Sequence, residues 1–396
     1  PRCPAAVTGT KAGMPLSPPG DGKAASRAPG AGRPAHLFDL GGGEALGAFS
    51  LPTSYLAVTP ARVVKISLLL CLLLVAVALA SLFTGTADIS IRATLREFFP
   101  WASFLSGGLT EAETSIIMSV RLPRIILAAI VGASLSVAGV VFQALLRNPL
   151  ADPYILGISA GSAVGAVMGI LLGAGAWSLG IPGLAFLGAL AAILIVFGIA
   201  GREKRRETNT LLLTGVMVNA FFNAFILFVF TISDHVQLQR ALNWIMGDLS
   251  LADEQALFYT SVFLVLGSVF IYAFARPLNL LVTGEETAQQ LGVAVEKTRI
   301  ALLAAAALIT AAAVSASGTI GFVGLIIPHI LRLLVGPDHR LLIPTAFFTG
   351  GAFLVGADTL ARCLVAPAEL PVGVITALCG APYFLLLLRR RLRLTS

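Results

Sequence analysis

The chain has 396 residues, of which 57% are hydrophobic and 12% charged, and its mean hydropathy is +0.91. A soluble domain carries about 25% charged residues and could not hide this much apolar surface in one core, so most of the chain belongs in lipid. The basic excess of 27 Lys and Arg over 20 Asp and Glu comes without a basic, aromatic-interleaved patch, and reads as loop charge on a membrane protein rather than a nucleic-acid surface.

In chain order, residues 1–60 form a low-complexity extension rich in Pro, Gly, Ala and Ser ("GTKAGMPLSPPGDGKAASRAPGAGRP"). It has no apolar period to offset the entropy of ordering and is expected to be disordered. It also lacks the apolar core of a signal peptide, and natural translation is expected to start near Val58. Residues 61–396 make the membrane domain. About 20 apolar residues cross a bilayer as a helix. Ten candidate spans follow, at roughly 63–83, 122–146, 154–174, 181–200, 210–232, 256–275, 300–317, 319–335, 341–362 and 371–388. The fold class is therefore all-α, a polytopic integral membrane protein with ten transmembrane helices.

With the segment before the first span inside, the inner loops hold fifteen Lys and Arg and the outer loops six. Cytoplasmic loops carry the excess of positive charge, so both termini are expected in the cytoplasm. Trp101, Trp177 and Trp244 then fall in outer loops.

The third span carries five glycines four apart, Gly157, Gly161, Gly165, Gly169 and Gly173. Residues at this spacing share one helix face, and in lipid such a face permits close backbone approach. Two readings stand: tight helix packing, or a pore-lining, sliding helix. Ahead of it, Pro149 and Pro153 in "NPLADP" forbid continuous helix and force a sharp re-entry. Between the sixth and seventh spans, residues 276–299 are too polar to cross and contain a short helical pattern, Glu285 to Leu291, ended by Gly292. The eighth span holds Pro328, His329 and Arg332. Pro328 leaves the carbonyl four residues earlier for a neighbour or water to satisfy. No second ligand accompanies His329, which reads as a structural group.

No Walker-type phosphate loop occurs, nor H-E-x-x-H, nor a Cys/His cluster. Cys3, Cys71, Cys363 and Cys379 are scattered, without disulfide or metal-ligand pattern. Of twenty acidic residues, only Asp358 sits plainly within a span, with Arg362 one turn beyond it. Ion-coupled carriers keep ionisable groups at mid-membrane, so the driving energy is expected to come from elsewhere. Catalytic, cofactor and metal sites are not expected.

Three stretches together resemble one family: "RLPRIILAAIVGASLSVAGVVFQALLRNPLADPYILGISAGSAVG" (121–165), "GTIGFVGLIIPHILRLLVGPDHRLLIP" (318–344), and "ADTLAR" (357–362) with "ELPVGVITALCGAPYFLLLL" (369–388). They are similar to the FecCD-type permeases, the membrane subunits of ABC importers for ferric siderophores, haem and cobalamin, from about residue 60 to the C-terminus. The resemblance implies the type II ABC importer permease fold in the bacterial inner membrane. It further implies a homodimer, or a pair with a sister permease, driven by two cytoplasmic ATPase subunits and loaded by a periplasmic or surface-tethered binding protein.

It also implies roles. Arg121, Arg124 and Arg362 would dock glutamates of the binding protein, since Arg pairs carboxylates bidentately; interfacial snorkelling is the other reading. Gly284, Glu285, Glu286, Ala288, Gln289, Leu291 and Gly292 would ride on the ATPase, where a solvated connector is the plainer alternative. Asn148, Pro149, Thr208 and Asn209 would form the cytoplasmic gate. The path, lined by the second, third, fifth, eighth and tenth spans, looks apolar and without a binding constellation. The cargo is then a metal chelate, with ferric siderophore the commonest in the family. Two readings compete with the importer: an ion-coupled carrier or channel, and a non-transporting scaffold.

Overall fold

The computed structural model describes residues 58–85, 94, 109–177, 179–200, 208–250 and 253–395. The expectation of disorder covers residues 1–60: residues 1–57 lie outside the described ones, as do Trp101 and the basic run 202–206, whereas Thr59 caps a helix that begins at Pro60. The described chain is helical, with no strand. In chain order the helices are α1 (Pro60–Phe83), α2 (Glu111–Leu145), α3 (Ile158–Leu171), α4 (Gly180–Ala200), α5 (Thr208–Ile232), α6 (His235–Ile245), α7 (Glu254–Ala273), α8 (Ala275–Thr283), α9 (Glu285–Gln290), α10 (Val295–Ser317), α11 (Val323–Val335), α12 (His339–Cys363) and α13 (Val372–Thr395). Seven are long and apolar enough to cross a membrane, and α3, α11 and the apolar part of α13 are shorter. Together these are the ten expected.

α2 is the axis of the bundle. It packs on α12, α10, α11 and α7, while α1 lies on α12 and α3 pairs with α4. By contrast α1 leaves Val64, Leu68, Leu69, Leu72 and Leu73 exposed, as a lipid-facing helix should. α2 starts eleven residues before the predicted Leu122. Thr110 and Glu113 form a reciprocal capping box at its N-terminus, and a π-helical stretch, Ile116–Arg121, carries the helix across Pro123. Widening of the turn accommodates the proline that sequence alone reads as a start.

The eighth span also departs from expectation: residues 319–322 are not helical, and Phe322 adopts a left-handed conformation with φ 71°. α3 and α11 have 14 and 13 residues, about 20 Å each, too short to span a bilayer alone. Irregular backbone at membrane depth survives only where protein or a wet cavity satisfies it. Here Tyr154 does so, its hydroxyl donating to the Ile320 carbonyl at 2.9 Å and accepting from the Ile320 amide at 3.0 Å. The carbonyl freed by Pro328 is that of Gly324, and the Gln143 side-chain amide donates to it at 3.3 Å and to the Leu325 carbonyl at 3.0 Å.

The five-glycine ladder resolves into two kinds of position. Gly161 and Gly165 face α4 so closely that a Cβ would lie 2.5 Å from the Gly188 carbonyl oxygen and 2.0 Å from that of Leu184. At Gly169 a Cβ would meet the Leu184 side chain at 3.2 Å and the Ile181 Cα at 3.4 Å. Gly157 and Gly173, however, lie outside the helix, with φ of 75° and 70°, and serve as left-handed caps. The expectation of one continuous packing face over all five is thus corrected.

Candidate functional site

The two ends of α2 each carry a cluster of charge. At the Arg121 end, Arg124 Nε lies 3.0 and 3.1 Å from the Asp358 carboxylate oxygens, and Arg124 Nη1 donates to Glu369 at 2.7 Å. Arg362 Nε reaches the same Asp358 at 3.2 Å, and Arg362 Nη2 donates to Ser81 Oγ at 2.7 Å. Arg121 Nη1 donates to the Leu82 carbonyl at 2.8 Å. Two of these contacts fall on the last turn of α1, where orphan carbonyls and the negative end of the helix dipole favour cations. All three arginines and Asp358 are buried, whereas the Glu369 side chain is 43% exposed. Arg121, Arg124 and Arg362 lie together at this end, but as the wall of a buried, already partnered network rather than an open socket. Glu369, two residues before the tenth candidate span, is the member that sequence reasoning missed.

At the opposite end, some 24 residues and about 36 Å further along α2, Arg147 turns the chain in a left-handed conformation with φ 48°. Its guanidinium donates to the Leu281 carbonyl at 3.2 Å and lies 3.8 Å from the Glu285 carboxylate. Arg299, at the start of α10, pairs with that same Glu285. Asn148 Oδ1 accepts from the Leu150 amide at 2.9 Å, a local turn that Pro149 sits inside. Asp152 Oδ1 similarly accepts from the Tyr154 amide at 2.8 Å. Burial pushes the Asp152 carboxyl up to about 6, opposed in part by that amide. Thr208 and Asn209 open α5, and their side chains lie outside the described residues.

The 276–299 connector is two helices, α8 and α9, broken at Gly284. Ala288 is buried beneath α9, while Glu286, Gln289 and Leu291 face outward, Leu291 being 62% exposed. Gly292 ends the element in a left-handed turn with φ 84° and open space around it. α8 is anchored to α12 by Asn279, which donates to Asp338 at 2.9 Å and accepts from the His339 amide at 2.9 Å. Burial alone would raise the Asp338 carboxyl, but hydrogen bonds from Arg340 and Asn279 hold it at about 2.

A third region joins polar and apolar groups. Between α3, α5 and α6 lies a cavity of about 550 Å³, bordered by Ser159, Asn219 and Asn223 beside Ile226, Leu227 and Phe230. Trp244, in the connection between the fifth and sixth spans that the sequence reads as an outer loop, is buried on α6. Among the described residues no group of His, Cys, Asp and Glu could hold a metal ion.

Residues 72–390 match the FecCD transport family. The chain is 47% identical over 291 residues to the cobalamin import system permease protein BtuC of Halobacterium salinarum, covering 74% of this chain and 78% of that protein. It is 41% identical to the hemin transport system permease protein HmuU of Yersinia pestis, with coverage of 81% and 95%. A solved structure, described as an inward-facing conformation of a putative metal-chelate type ABC transporter, superimposes with a TM-score of 0.72 at 33% identity. The superposition covers 82% of this chain and 99% of that one.

Proposed function

The chain belongs to the FecCD transport family, and from that premise we propose that it is the permease subunit of an ATP-driven importer of metal chelates, working as a dimer in the cytoplasmic membrane. The Arg147 end faces the cytoplasm, following the positive charge of its loops, and both termini lie there. A separate ATPase seats on α8 and α9, whose outward Glu286, Gln289 and Leu291 offer a polar face with an exposed apolar tip.

One observation carries this reading: Glu285, at the start of α9, is joined through Arg147 to the turn that holds Asn148 and Pro149. Displacement of α9 by the ATPase therefore pulls directly on the inner mouth. Two ATPase arrangements that bind α9 differently bias two positions of that turn, which is the thermodynamic requirement for coupling. At the far end, a binding-protein carboxylate reaches the arginine cluster by replacing Glu369 on Arg124. Asp358 argues against ion coupling, because its carboxylate is already shared between two guanidiniums.

The test is uptake by proteoliposomes. With ATPase and binding protein present, a cognate chelate accumulates only when ATP is enclosed. Accumulation by the purified permease alone under a proton or sodium gradient would instead establish the carrier.

A further inference from the structure

We propose that α2 and α12 form one rigid strut across the bilayer, and that the Asn279 carboxamide is the joint through which the ATPase and the binding protein sense each other along it. This rests on the permease reading above and adds to it a route of communication and a positioning residue for that route.

The two helices are locked at three depths. At the outer end Arg124 grips Asp358, both side chains being buried. At mid-length the backbones meet through glycine. A Cβ on Gly132 would lie 2.2 Å from the Gly350 carbonyl oxygen, and one on Gly350 would lie 2.4 Å from that of Gly132. At the inner end both are tied to α8: Arg147, just past α2, donates to the Leu281 carbonyl at 3.2 Å, and Asn279 holds the first turn of α12. α12 has 25 residues and is about 37 Å long. Pro344 lies in its second turn, and the helix runs on unbroken to Cys363. No loop therefore separates Asp338, at α8, from Asp358, at the arginine cluster. Close-packed helices do not absorb a push by gradual local deformation, so the pair moves as a body.

Asn279 makes the joint specific. Its Nδ2 donates to Asp338 Oδ1 at 2.9 Å, while its Oδ1 accepts from the His339 backbone amide at 2.9 Å and lies 2.6 Å from the His339 ring Nδ1. Turned over, the carboxamide would set its NH2 against the backbone N–H and its oxygen against a carboxylate, so one orientation alone satisfies these partners. A shift of α8 must then carry α12 with it or break this set of bonds. ATPase states that place α8 differently therefore place the arginine cluster differently. A binding protein that distinguishes the two placements returns the same preference to the ATPase, because coupling free energy is reciprocal.

The affinity of the cognate binding protein for the permease–ATPase complex in nanodiscs, measured with and without a non-hydrolysable ATP analogue, reads the linkage. In the wild type the two affinities should differ by about tenfold or more. Asn279→Leu leaves the outer cluster untouched and should still co-purify with the ATPase, yet bring that ratio below about threefold. Asn279→Asp sets two carboxylates together and should do the same. Combined with Asp338→Asn it again faces one amide donor with one carboxylate, and the ratio should return. A clamp that only holds the fold predicts the opposite pattern, in which Asn279→Leu lowers the melting temperature and the ratio stays. No ratio in the wild type, an unchanged ratio in Asn279→Leu, or no recovery in the exchanged pair overturns the proposal. Should Asn279→Leu lose the ATPase, the exchanged pair decides. Uptake of cyanocobalamin, ferrichrome and haemin by the complete wild-type importer separates the two levels. ATP-driven uptake of any of them while these arms fail removes the strut alone, whereas its absence with all three removes the permease reading.

Discussion

Asp358 and Glu285 are each a carboxylate between two guanidiniums, at opposite ends of the bundle. Around Asp358 the side chains of Arg124 and Arg362 are 8% and 5% exposed and that of Asp358 itself 2%. Around Glu285, by contrast, Arg147 is 45% exposed, Glu285 47% and only Arg299 is largely covered, at 12%. The same chemistry therefore does opposite work. A buried triad cannot lose one member without stranding charge in a low dielectric, so it fixes the relation of α1, α2 and α12. An exposed one exchanges its partners for water at little cost, and so can open and close.

The largest expected effect tests the buried side. Asp358→Ala strips Arg362 of its carboxylate and leaves Arg124 with Glu369 alone, and should cost about 3–5 kcal/mol, seen as a collapse of thermal stability and of membrane yield. Should that variant melt like wild type, the cluster is wetter than described and the contrast fails. Next comes Glu285→Ala. Its stability change should stay under about 1 kcal/mol, yet ATP-driven uptake should fall severalfold while ATP hydrolysis by the complex continues. Loss of both together would mean that Glu285 holds the fold rather than the linkage. Raised salt should weaken the wild-type linkage too, because exposed pairs are screened.

A third test sharpens the comparison at the turn beside Glu285. Burial raises the Asp152 carboxyl to about 6, above the ordinary value near 4 of the unfolded chain. The unfolded state therefore ionises first as pH rises, and stability declines between about pH 4 and 6 and is level above that. Asp152→Asn removes this dependence. Its melting temperature should exceed wild type at pH 7, by at most the equivalent of ~2–3 kcal/mol for a shift of this size, and converge with it near pH 4, as followed by a detergent-solubilised thermal melt.

Much of this was legible in sequence because lipid leaves few choices. Ten apolar stretches gave ten apolar helices, and Gly284 and Gly292 bounded α9 where they were expected. The ends of the helices were harder. Pro123 reads as a helix start, and only a local π-turn lets α2 continue through it. At residues 318–322 the run GTIGF carries two glycines, a local hint of a break, but nothing local shows how the irregular backbone is satisfied. The deciding interactions come from Tyr154 and Gln143, more than 160 positions away. Gln143 did carry a signal, a lone carboxamide late in an apolar helix, as did Asn219 and Asn223. The span ends showed which arginines gather on one side, and Asp358 one turn from Arg362 announced that pair, yet nothing local showed that Arg124 would share Asp358 or that Glu369 would reach it.

The Arg124–Asp358 contact joins positions 234 residues apart, and that has a bearing on how the protein is made. A ribosome delivers α2 long before α12, so for most of its synthesis the nascent chain holds a guanidinium in the bilayer without its counter-ion. Truncated products stay in that condition permanently. Such fragments should be conspicuous to membrane proteases, which makes the late arrival of one aspartate a built-in check that the polypeptide has been finished.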